Sequence, residues 1–261
     1  MKHLWFFLVI TLFISSCTSS KKLGYLNGLS ENSSDVTYPA EIPDYRIQPR
    51  DILFISIKAM TPDGMITDFL GESRTTGNTN YFQNESGQYL YGYDVNNDGL
   101  IILPVLGKLA VTGKTLNETR DLIQQKANSS YNNATVECKL LSFKFTVIGE
   151  VRAPGTYINY NNYLTVLEAI GRAEGLTDFG RRDNVKVVRP LNGGTKIYSL
   201  NLQDKDLLSN EVYFLLPNDV VIIEPEKKKI FNLNLPTYSF ILTSVTSLLT
   251  TTLLLINYIG K

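Results

Sequence analysis

The side chains that most often carry out chemistry in proteins are scarce in this chain. It has one histidine, His3, and two cysteines, Cys17 and Cys138. The common nucleophile–base pairs and zinc sites need an imidazole, and His3 lies in an N-terminal segment with the features of a secretory signal. We also find no pair of carboxylates whose placement favours glycan hydrolysis. The sequence therefore predicts no enzymatic activity, no cofactor and no metal site.

Cys17 is the residue whose chemistry we expect to matter. It follows a basic start at Lys2, an apolar run over residues 4–14 and two serines, and a Ser-rich stretch comes after it. This order is typical of a signal peptide that is cleaved just before a cysteine, and it resembles the bacterial lipobox. We predict that residues 1–16 are a signal peptide and that Cys17 becomes a lipidated (palmitate-bearing) N-terminus outside the cytoplasm. The alternative is an unmodified cysteine within a signal peptide or short anchor.

The remaining composition excludes some partners. If Cys17 carries lipid, Cys138 has no partner for a disulfide, and its alternating surroundings favour a buried, inert thiol on a strand. The formal charge is zero, from 25 basic and 25 acidic residues, so there is no electrostatic case for binding nucleic acid. The 15 tyrosines and the many asparagines are weakly typical of carbohydrate-facing surfaces.

The middle of the chain divides into two modules with a boundary near Ser142. In the first, strands are predicted at residues 52–57, 100–105, 107–111 and 135–141, with a long excursion of low periodicity at 61–98. Its helix should begin at Thr115, because Thr115 and Glu118 form a capping-box pattern. The second module repeats this plan, with strands at 144–149, 185–189, 196–200 and 220–223 and a helix that Thr165 and Glu168 cap.

Two motifs nearly fit known ligand sites. Residues 94–99 match the first half of a calcium loop, but the position of its last ligand is occupied by Val105, so a polar turn is the simpler interpretation. Residues 113–115 end like a phosphate-binding loop, but the upstream glycine has the wrong spacing and Thr115 is already explained as a helix cap.

The last segment differs in kind, because no charged residue lies between Lys229 and Lys261. The run from Pro236 to Ile259 is long enough to cross a bilayer as a helix. Five polar residues of this run fall within about 60° of one another on a helical wheel: Ser239, Thr243, Thr246, Thr250 and Asn257. These residues either line the lumen of a ring of helices or pack against a neighbour while their hydroxyls bond to their own backbone.

Three lysines, residues 227–229, stand directly before this helix. The simplest interpretation is a solvated flank that marks the membrane edge. In an inner-membrane protein such a run would stay cytoplasmic, which conflicts with an exported body on the same side of the helix. Insertion into an outer membrane removes this conflict.

Several motifs, in order, resemble the polysaccharide biosynthesis/export family, the Wza-like outer-membrane exporters. The first module carries two of them, at residues 45–53 and 98–107, although Arg50 stands where the family usually has glycine. The second module resembles a soluble-ligand-binding β-grasp (SLBB) domain through residues 147–157, 164–175 and 218–220. The resemblance covers about residues 44–225.

This resemblance implies an α+β protein: a signal peptide (1–16), a lipidated tether (17–43), an export domain (44–142, with the insertion 61–98), one SLBB-like β-grasp domain (143–229) and a transmembrane helix (230–261). It implies a homo-oligomeric ring, with its body in the periplasm, that passes capsular or extracellular polysaccharide through the outer membrane as a channel or channel part. An inner-membrane co-polymerase or chain-length regulator would dock below, and a separate outer-membrane β-barrel could supply the pore. The alternative is a lipid-anchored periplasmic glycan-binding scaffold without a pore.

Overall fold

The computed structural model describes residues 23–27, 37–70, 90–191 and 193–259. Cys17 and the segment 1–16 lie outside this range, as does the centre of the excursion at 61–98. The described chain combines strands with a few helices and has two separate clusters of buried apolar residues. Half-buried Leu140 packs against both clusters and therefore links the two modules.

The described part of the first module contains six strands and the helix α1. Their bounds are β1 (Ile52–Met60), β2 (Ile66–Asp68), β3 (Tyr93–Asp94), β4 (Leu100–Leu103), β5 (Gly107–Ala110), α1 (Leu116–Asn128) and β6 (Asn132–Leu140). β1 lies at the centre of the sheet, since it pairs antiparallel with β6 on one side and with β2 and β3 on the other. β4 and β5 form a separate hairpin.

The described ends of the excursion belong to this sheet. β2 pairs with the end of β1, where Lys58 lies opposite Asp68, and β3 pairs with its start, where Ile52 lies opposite Asp94. The low periodicity of residues 61–98 therefore concealed two short strands. A strand of two or three residues is too short to show an alternating pattern.

Arg50 adopts a left-handed backbone conformation, which glycine adopts more readily than any other residue. Its φ is +76°, in the left-handed region where a side chain costs about 1–2 kcal/mol. Its N–H donates to the carbonyl of Val95 at 2.7 Å. The turn at Arg50 therefore carries local strain.

Helix α1 begins as its sequence predicts. The Thr115 hydroxyl accepts from the N–H of Glu118 at 3.1 Å, and the Glu118 carboxylate accepts from the N–H of Thr115 at 2.8 Å. Both arms of the capping box are therefore present. Its inner face carries Thr119, Ile123 and Ala127, which are buried.

In the described residues of the second module, a five-stranded sheet is accompanied by one α-helix and one 3₁₀ helix. Its elements are β7 (Lys144–Gly149), β8 (Gly155–Ile158), α2 (Val166–Arg172), β9 (Gly180–Leu191), β10 (Gly194–Leu200), the 3₁₀ helix (Lys205–Ser209) and β11 (Val220–Pro225). The strand order is β10-β9-β11-β7-β8, and β11 with β7 is the one parallel pair in it.

Thr165 and Glu168 form the second capping box at the start of α2, as the sequence predicts. The position of Gly149, at the end of β7, requires glycine for a steric reason. Its φ is +97°, and a Cβ there would lie 2.0 Å from the carbonyl oxygen of Ile223. No other residue fits this contact between β7 and β11.

A buried carboxylate secures the junction of the modules. Asp51 is 4% exposed and accepts hydrogen bonds from the Tyr45 hydroxyl (2.8 Å) and the N–H of Gln48 (2.8 Å). Its other oxygen accepts from the Ser142 hydroxyl at 3.2 Å, and the same hydroxyl accepts from the N–H of Ile52. Residues of the first motif thus tie the start of β1 to the connection between the modules.

The chain ends in α3 (Lys227–Ile259), a single helix of 33 residues. It begins nine residues before the apolar run predicted from Pro236, and Pro236 lies within it. The lysines at 227–229 therefore form its first turn rather than a flank that precedes it.

Candidate functional site

Beyond its first turn, helix α3 packs against no other part of the described chain. All described side chains from residue 231 to 259 are exposed, and they include large apolar ones such as Ile241, Leu248 and Leu255. At 1.5 Å per residue the helix is about 50 Å long, more than the roughly 30 Å hydrocarbon core of a bilayer. By its length and composition it could cross a membrane.

The hydroxyls of the predicted polar stripe donate to the helix's own backbone. Ser239 donates to the carbonyl of Pro236 at 2.9 Å, Thr243 to Ser239 at 2.7 Å, and Thr246 to Thr243 at 3.0 Å. Thr250 donates to the carbonyls of Thr246 and Ser247. These bonds satisfy each hydroxyl proton, as helices in apolar surroundings require.

Such bonds do not distinguish the stripe from the rest of the helix. Ser244, Thr251 and Thr252 lie on other faces and donate to main-chain carbonyls in the same way. A hydroxyl that donates inward keeps its oxygen lone pairs available. The stripe can therefore accept hydrogen bonds from water, from a sugar hydroxyl or from a neighbouring helix.

A second candidate site is a cavity of about 260 Å³ at the junction of the two modules. Apolar and aromatic side chains form its base, and exposed tyrosine rings and asparagine amides stand at its rim. Its lining residues include Tyr45, Leu140, Phe143, Tyr160, Asn161, Asn162, Tyr163, Phe214 and Leu215. An apolar base with a few polar groups at the rim is the usual composition of a small-ligand pocket.

Hydrogen bonds from neighbouring side chains fix the loop that forms this rim, residues 160–163. Asn159 is 1% exposed, and its amide donates to the carbonyls of Asn161 (2.7 Å) and Tyr163 (3.2 Å). Arg172 of α2 donates to the Asn159 side chain at 2.9 Å and to the carbonyl of Ile158 at 2.7 Å. The rim is therefore preorganised, which lowers the entropic cost of binding.

Cys138 plays a structural part. It lies on β6 opposite Ile55, is half-buried and packs against the first core. Burial raises the pKa of its thiol to about 12, so almost none of it is thiolate at neutral pH. Within residues 23–27, 37–70, 90–191 and 193–259, no group of three or more His, Cys, Asp or Glu side chains could hold a metal ion.

The structure describes some of the site residues that the sequence predicts, but not all of them. Cys17 lies outside the described residues, so its lipidation stays a prediction. The stripe residues lie along one face of α3, far in sequence from the cavity at the junction. The cavity was missed, because its rim and base come from residues up to 174 positions apart, from Pro43 to Pro217. The local signal was the Tyr-Asn-Asn-Tyr run at 160–163 within the general excess of these two residue types.

Comparison with known proteins agrees with this architecture. A family model described as polysaccharide biosynthesis/export protein matches residues 39–141, and an SLBB domain model matches residues 143–223. The two matches adjoin at Ser142, and the chain belongs to the polysaccharide biosynthesis/export family.

Two curated relatives are similar to this chain, and both are described as EPS I polysaccharide export outer membrane protein EpsA. The relative from Ralstonia solanacearum is 29% identical over 145 residues, which are 54% of this chain and 38% of the relative. The relative from Ralstonia nicotianae is 29% identical over 177 residues, which are 66% of this chain and 44% of the relative. The chain thus spans less than half the length of either relative.

Proposed function

We propose that this protein is an outer-membrane component that exports capsular or extracellular polysaccharide from the periplasm to the cell surface. The observation that carries the proposal is the export-family match over residues 39–141, joined to a 33-residue helix that is apolar after its first turn and there packs against no other part of the described chain. A transport part of this kind has no need of a catalytic site, so we assign it no enzymatic reaction.

We further propose an assembly for this function. Residues 44–142 form the export domain and residues 143–229 a β-grasp domain, a division that the two separate cores support. The body lies in the periplasm, lipid on Cys17 anchors it, and α3 crosses the outer membrane. Several copies form a ring whose channel the stripe lines, or the ring packs against a separate β-barrel. An inner-membrane co-polymerase or chain-length regulator delivers the polymer.

The test of the proposed function is deletion of the gene in its host. We expect polysaccharide at the cell surface and in the medium to fall to background, and expression of the intact chain to restore it. Polysaccharide should be measured by sugar analysis of separated surface and cell fractions, since loss from both would indicate a defect in synthesis. Unchanged surface polysaccharide in the deletion strain would contradict the proposal.

A second candidate function is a periplasmic glycan-binding scaffold without its own pore. The cavity at the junction favours it, because tyrosine rings offer flat apolar contact area and asparagine amides both donate and accept hydrogen bonds. Tyr163 lies edge-on to Phe214, with ring centroids 6.0 Å apart, so its ring is fixed while 45% of the residue is exposed.

We expect Tyr163→Ala to weaken binding of oligosaccharides, prepared by partial hydrolysis of the host's own polysaccharide, about tenfold. Loss of the ring removes the contact area while the asparagines stay in place. Titration calorimetry on the detergent-solubilised chain measures the affinity. Phe69→Ala is the matched control, because Phe69 is a similarly exposed aromatic residue (39%) of the first module that does not line the cavity. Equal affinities in both variants would eliminate the cavity as a glycan site.

A further inference from the structure

A basic pocket lies where helix α3 leaves the second module. It has a volume of about 520 Å³ and opens widely to solvent. Four cationic and two acidic side chains line it: Arg181, Arg182, Lys227, Lys228, Asp183 and Glu226. The pocket therefore carries an excess of two positive charges at the point where the chain would enter a bilayer.

The base of the pocket is rigid. Pro225 of β11 pairs with Gly180 of β9, and the N–H of Glu226 donates to the carbonyl of Phe179 at 2.7 Å. One turn into α3, Lys229 forms an ion pair with Glu150, whose side chain is 12% exposed. This contact lowers the pKa of the Glu150 carboxyl, so the pair persists at neutral pH and is lost only when the pH falls below the usual range of a glutamate.

Arg182 adds a buried positive charge to the wall. It is 7% exposed, and its Nη atoms donate to the carbonyl oxygens of Gly180 (2.9 Å) and Thr177 (3.4 Å), which carry no net charge. Its Nε has no acceptor among the residues that the structure describes. Arg181 differs, because Asp183 and Glu224 both pair with it.

Residues 23–27 lie beside the same basic pocket. The N–H groups of Leu26 and Asn27 donate to the carbonyls of Leu202 (2.9 Å) and Gln203 (2.5 Å), and Gln203 lines the pocket. The Tyr25 ring lies over the Arg182 guanidinium, 5.6 Å from its central carbon. Leu23 follows Cys17 by six residues, which span at most about 20 Å. A lipid on Cys17 and the first turn of α3 can therefore enter one leaflet beside the pocket.

We propose that this pocket binds the phosphate of an anionic phospholipid headgroup in the leaflet that α3 enters. The proposal rests on the membrane placement given under the proposed function. The exposed ammonium groups of Lys227 and Lys228 supply charge-assisted hydrogen bonds to phosphate oxygens. Arg182 contributes a fixed positive potential from within the wall. Because the pocket opens at the foot of an apolar helix, acyl chains of a bound lipid would continue along α3.

The test uses the full chain in a neutral detergent, with native mass spectrometry as the readout. We expect retention of phosphatidylglycerol over phosphatidylcholine, and we expect Lys227→Gln with Lys228→Gln to weaken that retention about tenfold. Lys58→Gln with Lys108→Gln is the matched control, because it removes the same charge from two exposed lysines of the first module. This control should retain phosphatidylglycerol like the unaltered chain.

Other outcomes would overturn the proposal. Equal retention of the two lipids, or equal loss in both double variants, would show that the pocket does not select the headgroup. Displacement of the lipid by millimolar inorganic phosphate would indicate a free-anion site, and preferential retention of an acidic oligosaccharide would indicate a polymer site. Carbonate extraction of cell membranes distinguishes failure of the lipid-binding proposal from failure of the proposed function. Release of the unaltered chain would contradict the membrane placement and with it the export function.

Discussion

Replacement of Asp219 by alanine is expected to lower the free energy of unfolding by about 3–5 kcal/mol, the usual cost of leaving one partner of a buried ion pair alone. Asp219 is fully buried, and its carboxylate receives Arg189 Nε at 3.0 Å and Nη2 at 2.7 Å. It also accepts from the N–H of Leu216 at 2.8 Å. The substitution leaves the Arg189 guanidinium buried in the second module without its carboxylate partner.

Urea unfolding of the detergent-solubilised chain, followed by circular dichroism, measures this loss. Glu211→Ala is the matched control in the same module. It breaks an ion pair with Lys196 in which both side chains are more than half exposed, so we expect a change within about 0.5 kcal/mol. A second variant, Arg189→Met with Asp219→Leu, removes both charges and should recover part of the loss. Equal stability of Asp219→Ala and Glu211→Ala would contradict the structural role of this pair.

The second prediction with a large expected effect, on polysaccharide export, concerns the polar stripe of α3. Under the channel proposal, replacing Thr243, Thr246 and Thr250 together by leucine should reduce export to near background, because a lumen lined by methyl groups cannot hydrogen-bond to a hydrated polymer. Folding should survive, since leucine favours helices more than threonine does. Surface polysaccharide, with the amount of protein in the outer-membrane fraction as a second measurement, tests this expectation.

The chain offers a close control for this experiment. Ser244, Thr251 and Thr252 also donate to main-chain carbonyls, but they are centred on the opposite face of the helix. Their replacement by leucine removes the same number of hydroxyls and adds similar apolar volume. We expect export to continue in this variant. Equal export by both triple variants would assign the stripe to helix packing rather than to a lumen.

The sequence predicted a feature correctly where that feature depends on residues close together in the chain, and missed it where the feature depends on distant residues. The starts of α1 and α2 were predicted correctly, because each capping box joins residues three positions apart. The strands β2 and β3 were missed, since each owes its existence to pairing with β1 rather than to its own pattern. Arg50 shows a third case, in which contacts elsewhere in the fold hold a residue in a conformation that its own side chain disfavours.

The same distinction applies to the candidate sites. An apolar run can be counted along the chain, so the terminal helix and its polar stripe were recognised, although its first three residues, 227–229, were predicted as a flank. The cavity at the junction and the basic pocket at the foot of α3 are assembled from distant segments, and neither has a motif.

The sequence by itself therefore determined the order of the two modules, the caps of their helices, the apolar terminal segment and the family, because these depend on neighbours within a few positions or on ordered motifs. Only the tertiary structure decided which side chains meet. It brought Tyr163 to Phe214, Lys229 to Glu150, and residues 23–27 to the wall beside Arg182. Such contacts follow from how sheets and cores pack, and packing depends on the whole chain at once.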